Sequence, residues 1–289
     1  MSPVTKAGSY PNTDVPAATT QRFAFGRNWQ RFLQHLTEER IAVACASLRS
    51  MLQVEDFHGK AFLDVGSGSG LFSLAAMRLE AARVHSFDYD PQSVDCTREM
   101  KKRFYSDAMS WSIEQGNALD DDYLGRLGTF DVVYSWGVLH HTGDMWKALE
   151  NVSRLVHPGG KLLLALYNDE GRRSKAWRLV KKLYCRNIVW RTLIVATFGS
   201  WFSIKGLIKD VLLLRKNPLA RYREYKTQRG MSYFTDLLDW LGGYPFEVAK
   251  IEEVFSFFRL RGFELTNIRT PVQTKGNNEY VFLNRAMPQ

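Results

Sequence analysis

Phe62-Leu63-Asp64-Val65 runs directly into Gly66-Ser67-Gly68-Ser69-Gly70, and Leu71 opens a stretch of helical length. A short apolar run ending in three alternate glycines reads as a strand that turns sharply into a helix, whose free N–H groups face the turn. A ligand backbone can approach such a turn without meeting a Cβ atom. The dinucleotide fingerprint G-x-G-x-x-G would need glycine at Leu71, and the spacing here is G-x-G-x-G, which argues against NAD or FAD. No Gly-Lys-Ser/Thr follows, so a P-loop is excluded as well.

Outward from that turn, Ala61 to Asn168 alternates β-branched apolar runs with amphipathic stretches, the pattern of a parallel sheet with crossover helices. Strands are predicted at Ala61–Val65, Arg83–Asp88, Trp111–Gln115, Asp131–Trp136 and Lys161–Tyr167. Helices are predicted near Leu71–Leu79, Pro91–Phe104 and Asp144–Val156, and His157-Pro158-Gly159-Gly160 reads as a stop followed by a turn. Eighteen residues past Gly70 the second strand ends at Asp88, where a ribose-binding acid belongs in a nucleotide-binding βαβ unit. Upstream, Thr37 caps a helix to Leu52 with Ile41, Cys45, Leu48 and Leu52 on one face. Downstream, Val248, Ile251, Val254, Phe255 and Phe258 form another stripe, followed by strands at Phe263–Thr270 and Asn278–Asn284.

The chain of 289 residues with 45% hydrophobic content is long enough to bury a large core. Its three cysteines, Cys45, Cys96 and Cys185, show no metal-ligand spacing and fit reduced thiols, so no metal site is expected. Met1 to Gln21 lacks the basic start and apolar run of a secretory signal and reads as a flexible leader, and no stretch has the length of a membrane span. The expected location is cytoplasmic, with peripheral attachment at the inner membrane face as an option. Charge is unevenly distributed: of the whole-chain +9, Gly171 to Gly230 carries 16 Lys/Arg against 2 acids, and the remainder is net negative.

With these residues in place, the sequence resembles the class I S-adenosylmethionine-dependent methyltransferases from about Phe62 to Asn168. Leu63 to Gly70 is similar to that family's first motif, and the resemblance implies that Asp64 helps hold the methionine amino group and that Asp88 takes the ribose. Gly116-Asn117-Ala118-Leu119-Asp120 resembles the turn after the third strand, where the family usually has Asp at the Asn117 position; an amide oxygen there can still accept an adenine N–H. Phe130 to His141 resembles the fourth-strand motif, and Leu155 to Leu162 the approach to the fifth. The fold implied is α/β, a Rossmann-like seven-stranded sheet of order 3-2-1-4-5-7-6 with its last strand antiparallel, carrying a basic helical insertion. The cofactor implied is S-adenosylmethionine, contacted by Asp64, Gly66, Ser67, Gly68, Gly70, Asp88, Tyr89, Asn117, Ala118 and Ser135.

A sulfonium makes its methyl group electrophilic, so the protein mainly aligns the acceptor, and a hydroxyl acceptor needs a base. His140 and His141 follow the fourth strand at the carboxyl edge, where open α/β sheets bind ligands, and are the catalytic candidates. The competing reading has one histidine capping the next helix and the other packing on Trp146. Asp120-Asp121-Asp122 reads as a solvated helix start, and Phe23 to Trp29 as an aromatic lid over the cofactor or as core.

The organisation expected is a leader (1–21), a helical lid (22–60), a cofactor-binding core (61–169), an insertion (170–230) and the C-terminal part of the core (231–289). The insertion far exceeds the usual connection of ~2–6 residues. It mixes cations with residues such as Trp177, Leu183, Ile194, Trp201, Leu212 and Leu214, which implies two or three amphipathic helices. Three readings compete: an anionic membrane surface, a nucleic-acid patch, or a helical cap packed on the domain or a second subunit. Nucleic acid is disfavoured, because Ser135-Trp136-Gly137-Val138 stands where base-methylating relatives carry Asp/Asn-Pro-Pro-aromatic. Arg229–Tyr233 and Gly242–Glu247 flank the same region and are candidates for lining the acceptor pocket, against the reading of ordinary Gly-Pro turns. The leading expectation is O-methylation of a hydroxylated small molecule, a lipidic phenol or a sugar-containing intermediate, in line with a resemblance to ubiquinone-type O-methyltransferases. The alternatives are a non-catalytic cofactor-binding or membrane-recruited protein and an RNA methyltransferase.

Overall fold

A computed structural model describes residues 26–208, 211, 238, 241–271 and 276–285. The leader, Phe23 to Phe25, Arg229–Tyr233, and Leu212 and Leu214 of the insertion lie outside the described residues. Five parallel strands come first: β1 (Ala61–Val65), β2 (Arg83–Asp88), β3 (Trp111–Gln115), β4 (Phe130–Trp136) and β5 (Val156–Tyr167). β6 (Phe263–Arg269) and β7 (Asn277–Asn284) complete one sheet of order β3-β2-β1-β4-β5-β7-β6, in which β7 runs against both β5 and β6.

Each crossover is a helix whose ends are written in the sequence. α2 (Glu38–Leu52) starts at Thr37, whose side chain accepts from Arg40 N, and α4 (Pro91–Phe104) has Asp90 as cap and proline in its first turn. α3 (Leu71–Arg78) begins at Gly70, and the short α5 (Asp121–Gly125) at Asp120, which accepts from Tyr123 N. One sheet face packs on α2, α3 and α4 through residues such as Leu48, Phe62, Leu74 and Met100. The other packs on α6 (Met145–Ser153) and α9 (Ile251–Arg259) through Leu63, Leu149, Phe257 and Phe282. In α9 the apolar stripe runs through Val254, Phe257 and Phe258, and Phe255 stands at its exposed edge. The expected stripe therefore had one phenylalanine misplaced: the 3.6 period puts 257, not 255, over the sheet.

His157 to Gly160 also departs from the expected turn. β5 already begins at Val156 opposite Phe130, and Lys161 pairs with Val132, so three extra residues bulge out of one strand. Gly160 permits this, since a Cβ there would lie 2.8–3.0 Å from the carbonyl oxygens of His157, Asp131 and Phe130.

Strand order reverses between β1 and β4, so the crevice at their carboxyl ends is the switch point where such sheets bind ligands. After β5 the chain leaves the sheet for α7 (Arg172–Arg186) and α8 (Ile188–Ile208), which meet through Trp177 and Phe198 at 5.2 Å and share a small core with Tyr184, Ile194 and Leu241.

Candidate active site

Gly66 has φ +77° because the chain must leave β1 at a right angle to its pleat, and its amide and that of Ser67 donate to Phe87 O at 2.8 and 3.0 Å. That ties the turn to β2. A Cβ on Gly66 would fall 2.4 Å from Val138 Cγ1, so the residues following β4 close directly on the glycine. Gly68 donates to Asp88 Oδ2 at 2.9 Å, and Asp90 N donates to Asp88 Oδ1 at the same distance. The Ser67 hydroxyl lies 3.0 Å from Thr97 Oγ1, and Gly70 packs on Thr97.

Asp64 is buried beneath this turn, and Ser73 Oγ donates to its Oδ2 at 2.5 Å. Burial pushes the Asp64 carboxyl up to about 7 and that of Asp88 up to about 6; each is opposed by the hydrogen bonds it accepts, and Asp88 adds like-charge repulsion on Asp64. Among the described residues no lysine or arginine contributes to either shift. Two neighbouring acids are chemically matched to a ligand that brings an ammonium, a sulfonium and hydroxyl donors.

The remaining expected contacts divide. Tyr89 is exposed beside Asp88, its carbonyl accepting from Gln115 Nε2 at 3.1 Å. Asn117 Oδ1 accepts from Leu119 N at 3.0 Å, and the carbonyl of buried Ala118 accepts from Asn151 Nδ2 at 3.1 Å. Ser135 points into the sheet: its hydroxyl donates to Val65 O at 3.2 Å and straps β4 to β1, leaving its backbone at the crevice. Of the lid segment, α1 (Gly26–Leu33) is described. It is held by Gly26 N donating to Asp90 Oδ2 at 2.9 Å, and Trp29 lies against Gly68, about 3.0 Å from where a Cβ would stand.

His140 and His141 form the one-turn 3₁₀ segment Leu139–His141. His140 is fully enclosed, its ring 4.1 Å from that of Tyr167, and Nδ1 accepts from Tyr167 N at 3.4 Å. Its Nε2 has no hydrogen bond among the described residues, a burial that costs about 1–3 kcal/mol. His141 Nδ1 donates to Pro245 O at 2.6 Å, which fixes its tautomer and puts the lone pair on Nε2. Burial holds both imidazoles neutral, His141 at about 4 and His140 well below its ordinary value. Neither histidine caps α6, and neither packs on Trp146. Asp144 accepts from Lys147 N, Glu247 accepts from Gly143 N and Met145 N at 3.0 and 3.2 Å, and Trp146 lies tilted against Phe257 with ring centroids 5.1 Å apart.

Two side-chain placements were not legible in the sequence. Glu247 reaches α6 from a hundred residues away, and burial raises it to about 7. Lys181 of α7 is buried over the Phe246 ring at 5.1 Å, and burial lowers it to about 7. Ser73 was legible in principle, three residues into a helix whose inner face must cover Asp64. Among the described residues no cluster of His, Cys, Asp and Glu has the arrangement of a metal site.

The Methyltransferase domain family matches residues 63–162. The chain is 31% identical over 187 residues to the ubiquinone biosynthesis O-methyltransferase of Azotobacter vinelandii, covering 61% of this chain and 76% of that one. It therefore belongs to the class I S-adenosylmethionine-dependent methyltransferases, and it is a transferase that uses that cofactor. The tRNA U34 carboxymethyltransferase of Idiomarina loihiensis is 26% identical over 215 residues, 72% of this chain, which spans 59% of that protein's length. In fold, the magnesium protoporphyrin IX methyltransferase of Synechocystis PCC 6803 with bound S-adenosylmethionine superposes with a TM-score of 0.53 at 11% identity, over 94% of this chain and 99% of that one. The relatives thus span small-molecule and tRNA substrates.

Proposed function

We propose that the protein methylates a hydroxyl oxygen on an apolar small molecule, a lipidic phenol or a sugar-bearing lipid, and that His141 is the base. The observation that carries this is the bond from His141 Nδ1 to Pro245 O, which fixes the tautomer with the lone pair on Nε2, the atom that would take the proton. When bound, the cofactor supplies an electrophilic methyl group. Asp64 would meet its ammonium and Asp88 its ribose hydroxyls, with Gly66, Gly68 and Gly70 giving its backbone room, and Asn117 with Ala118 would line the base. Burial keeps the His141 ring neutral above about pH 4, the protonation state in which Nε2 carries a lone pair. His140, enclosed behind it, supports the ring it touches at 4.4 Å.

The apolar acceptor draws on α7 and α8, which we assign to the acceptor side. From Gly171 to Ile208 the sequence has nine Lys/Arg and no acid. Eight large apolar residues of α8, among them Leu193, Trp201, Ile204 and Leu207, are 40–69% exposed. No helix among the described residues is long and apolar enough to cross a membrane. An exposed apolar face flanked by cations instead fits a helix lying in the plane of an anionic membrane surface.

Transfer of a labelled methyl group to a panel of polyprenyl phenols, lipid-linked sugars and tRNA tests the reading. Label should enter the phenol or sugar arm, and His141→Ala should lower transfer about 10²–10⁴-fold with S-adenosylhomocysteine affinity kept. Label in tRNA alone, or full activity in His141→Ala, would overturn it.

A further inference from the structure

Behind the cofactor crevice a second polar feature runs through the sheet interior. Trp111 opens β3, Ser86 lies on β2 and Ser73 on the inner face of α3, and all three are essentially unexposed. Trp111 Nε1 stands 2.9 Å from Ser86 Oγ, Ser86 Oγ 2.7 Å from Ser73 Oγ, and Ser73 Oγ 2.5 Å from Asp64 Oδ2.

The direction of this chain is fixed at one end by chemistry. An indole N–H only donates, so Ser86 accepts from Trp111. Ser73 gives its single proton to the carboxylate, so the contact between the two serines has Ser86 as donor. Three protons therefore point the same way and end on an anion, an arrangement in which each bond polarises the next. Protonating Asp64 on Oδ2 would reverse the last links, and the indole cannot accept at the other end. That leaves Oδ1 for the proton, and the backbone amide of Ser73 also favours the charged carboxylate.

We propose that Trp111, Ser86 and Ser73 are positioning residues that act through Asp64, holding it as a carboxylate and so setting the pH range in which the enzyme takes up its cofactor. The inference rests on the reading that Asp64 meets the cofactor's ammonium, in which case ligand and proton compete for the same oxygen. The titratable groups facing Asp64 from the neighbouring strands are Asp88 on β2, which adds repulsion, and Tyr134 on β4, its register partner. The charged residue of α3, Arg78, stands at the far end of the helix and pairs with Glu38. Burial drives the carboxyl up to about 7, opposed first by the Ser73 hydroxyl that ends the chain and then by the Ser73 backbone amide.

The test is S-adenosylhomocysteine binding by calorimetry between about pH 5.5 and 7.5, where its ammonium stays charged. Wild-type affinity should rise with pH. In Ser73→Ala, Ser86→Ala and Trp111→Phe the rise should move to higher pH, most in the first and least in the last. A displacement of one unit is a tenfold weaker affinity at about pH 6 that closes as pH rises. Ser73→Thr, which keeps the hydroxyl, should restore the wild-type profile. Thermal melts identify variants that fold, and Ser86→Ala, the smallest change, stands in if Trp111→Phe does not. Equal loss at every pH, or an unmoved profile in folded variants, would overturn the proposal. If Asp64→Asn binds as wild type with the same profile, the placement of the ammonium fails instead.

Discussion

On the β2 side of the switch point the acidic side chains are tied down, whereas on the β5 side the buried basic side chains are held neutral or weakened by burial. Asp88 takes two backbone amides, Asp90 caps α4 and anchors α1, and Asp64 ends a chain of three donors. Across the crevice, His140 Nε2 has no hydrogen bond among the described residues, Lys181 is buried over an aromatic ring, and α8 turns an apolar face outward. In the proposed function the first half serves a ligand whose charges and hydroxyls never change, so its partners can be built into strand ends. In the same reading the second half faces the acceptor.

The sharpest way to break this contrast is to place the same substitution in both halves. Gly66 and Gly171 both have positive φ, +77° and +65°, but a Cβ on Gly66 meets Val138 at 2.4 Å and one on Gly171 meets nothing within 4 Å. Gly66→Ala should lower Tm by roughly 5–15 °C and abolish S-adenosylhomocysteine binding, combining backbone strain with a clash. Gly171→Ala should show strain alone, about 1 kcal/mol, with binding intact. Melting curves and calorimetry on the pair decide it, and similar losses in both would remove the distinction.

Asp88→Asn comes next. An amide can accept one of the two N–H bonds that Asp88 now holds but presents its NH₂ to the other, and it accepts ribose hydroxyls more weakly. Affinity for S-adenosylhomocysteine should fall about 10–100-fold at pH 7.5. Asp88 is raised to about 6 from an ordinary value near 3.8, so its charged form is lost as pH falls through 6. Wild type and variant should therefore converge by about pH 5, and a constant ratio across that range would show that the carboxylate charge is not what matters.

What could be read beforehand follows the same division. The strand-turn-helix at Gly66 and the acid at Asp88 are local: one segment sets φ, spacing and strand end, and the sheet order followed from the family they resemble. The caps at Thr37, Asp120 and Asp144 are equally local. The Trp111–Ser86–Ser73 chain was not legible because its members are unremarkable alone and meet only when β1, β2 and β3 lie side by side in register. Gly242–Glu247 was readable as a stretch flanking the acceptor region, but the contacts of Glu247 with Gly143 and of Pro245 with His141 were not, because they form across 104 residues and the whole insertion. His157 to Gly160 misled because Pro-Gly-Gly signals a turn locally, and the bulge exists only through the neighbouring carbonyls of β4.

The smallest expected effect on the fold tests the exposed half most directly. Leu193 and Ile204 are 52% and 56% exposed on α8, on the side away from Ile194 and Phe198, which pack towards α7. Removing apolar surface that already faces water forfeits little burial, so Leu193→Ser with Ile204→Ser should change stability by less than about 0.5 kcal/mol and leave S-adenosylhomocysteine affinity untouched. A face that enters a lipid interface loses far more, because each side chain forgoes ~1.5–3 kcal/mol of transfer on binding. Cosedimentation with phosphatidylglycerol vesicles should therefore drop sharply in the double variant, while phosphatidylcholine vesicles, which lack the charge for Arg191 and Lys205, should pellet little of either protein. If the double variant melts several degrees lower instead, the face is core covered by another part of the chain. Equal pelleting of both proteins would place any membrane contact elsewhere than on α8.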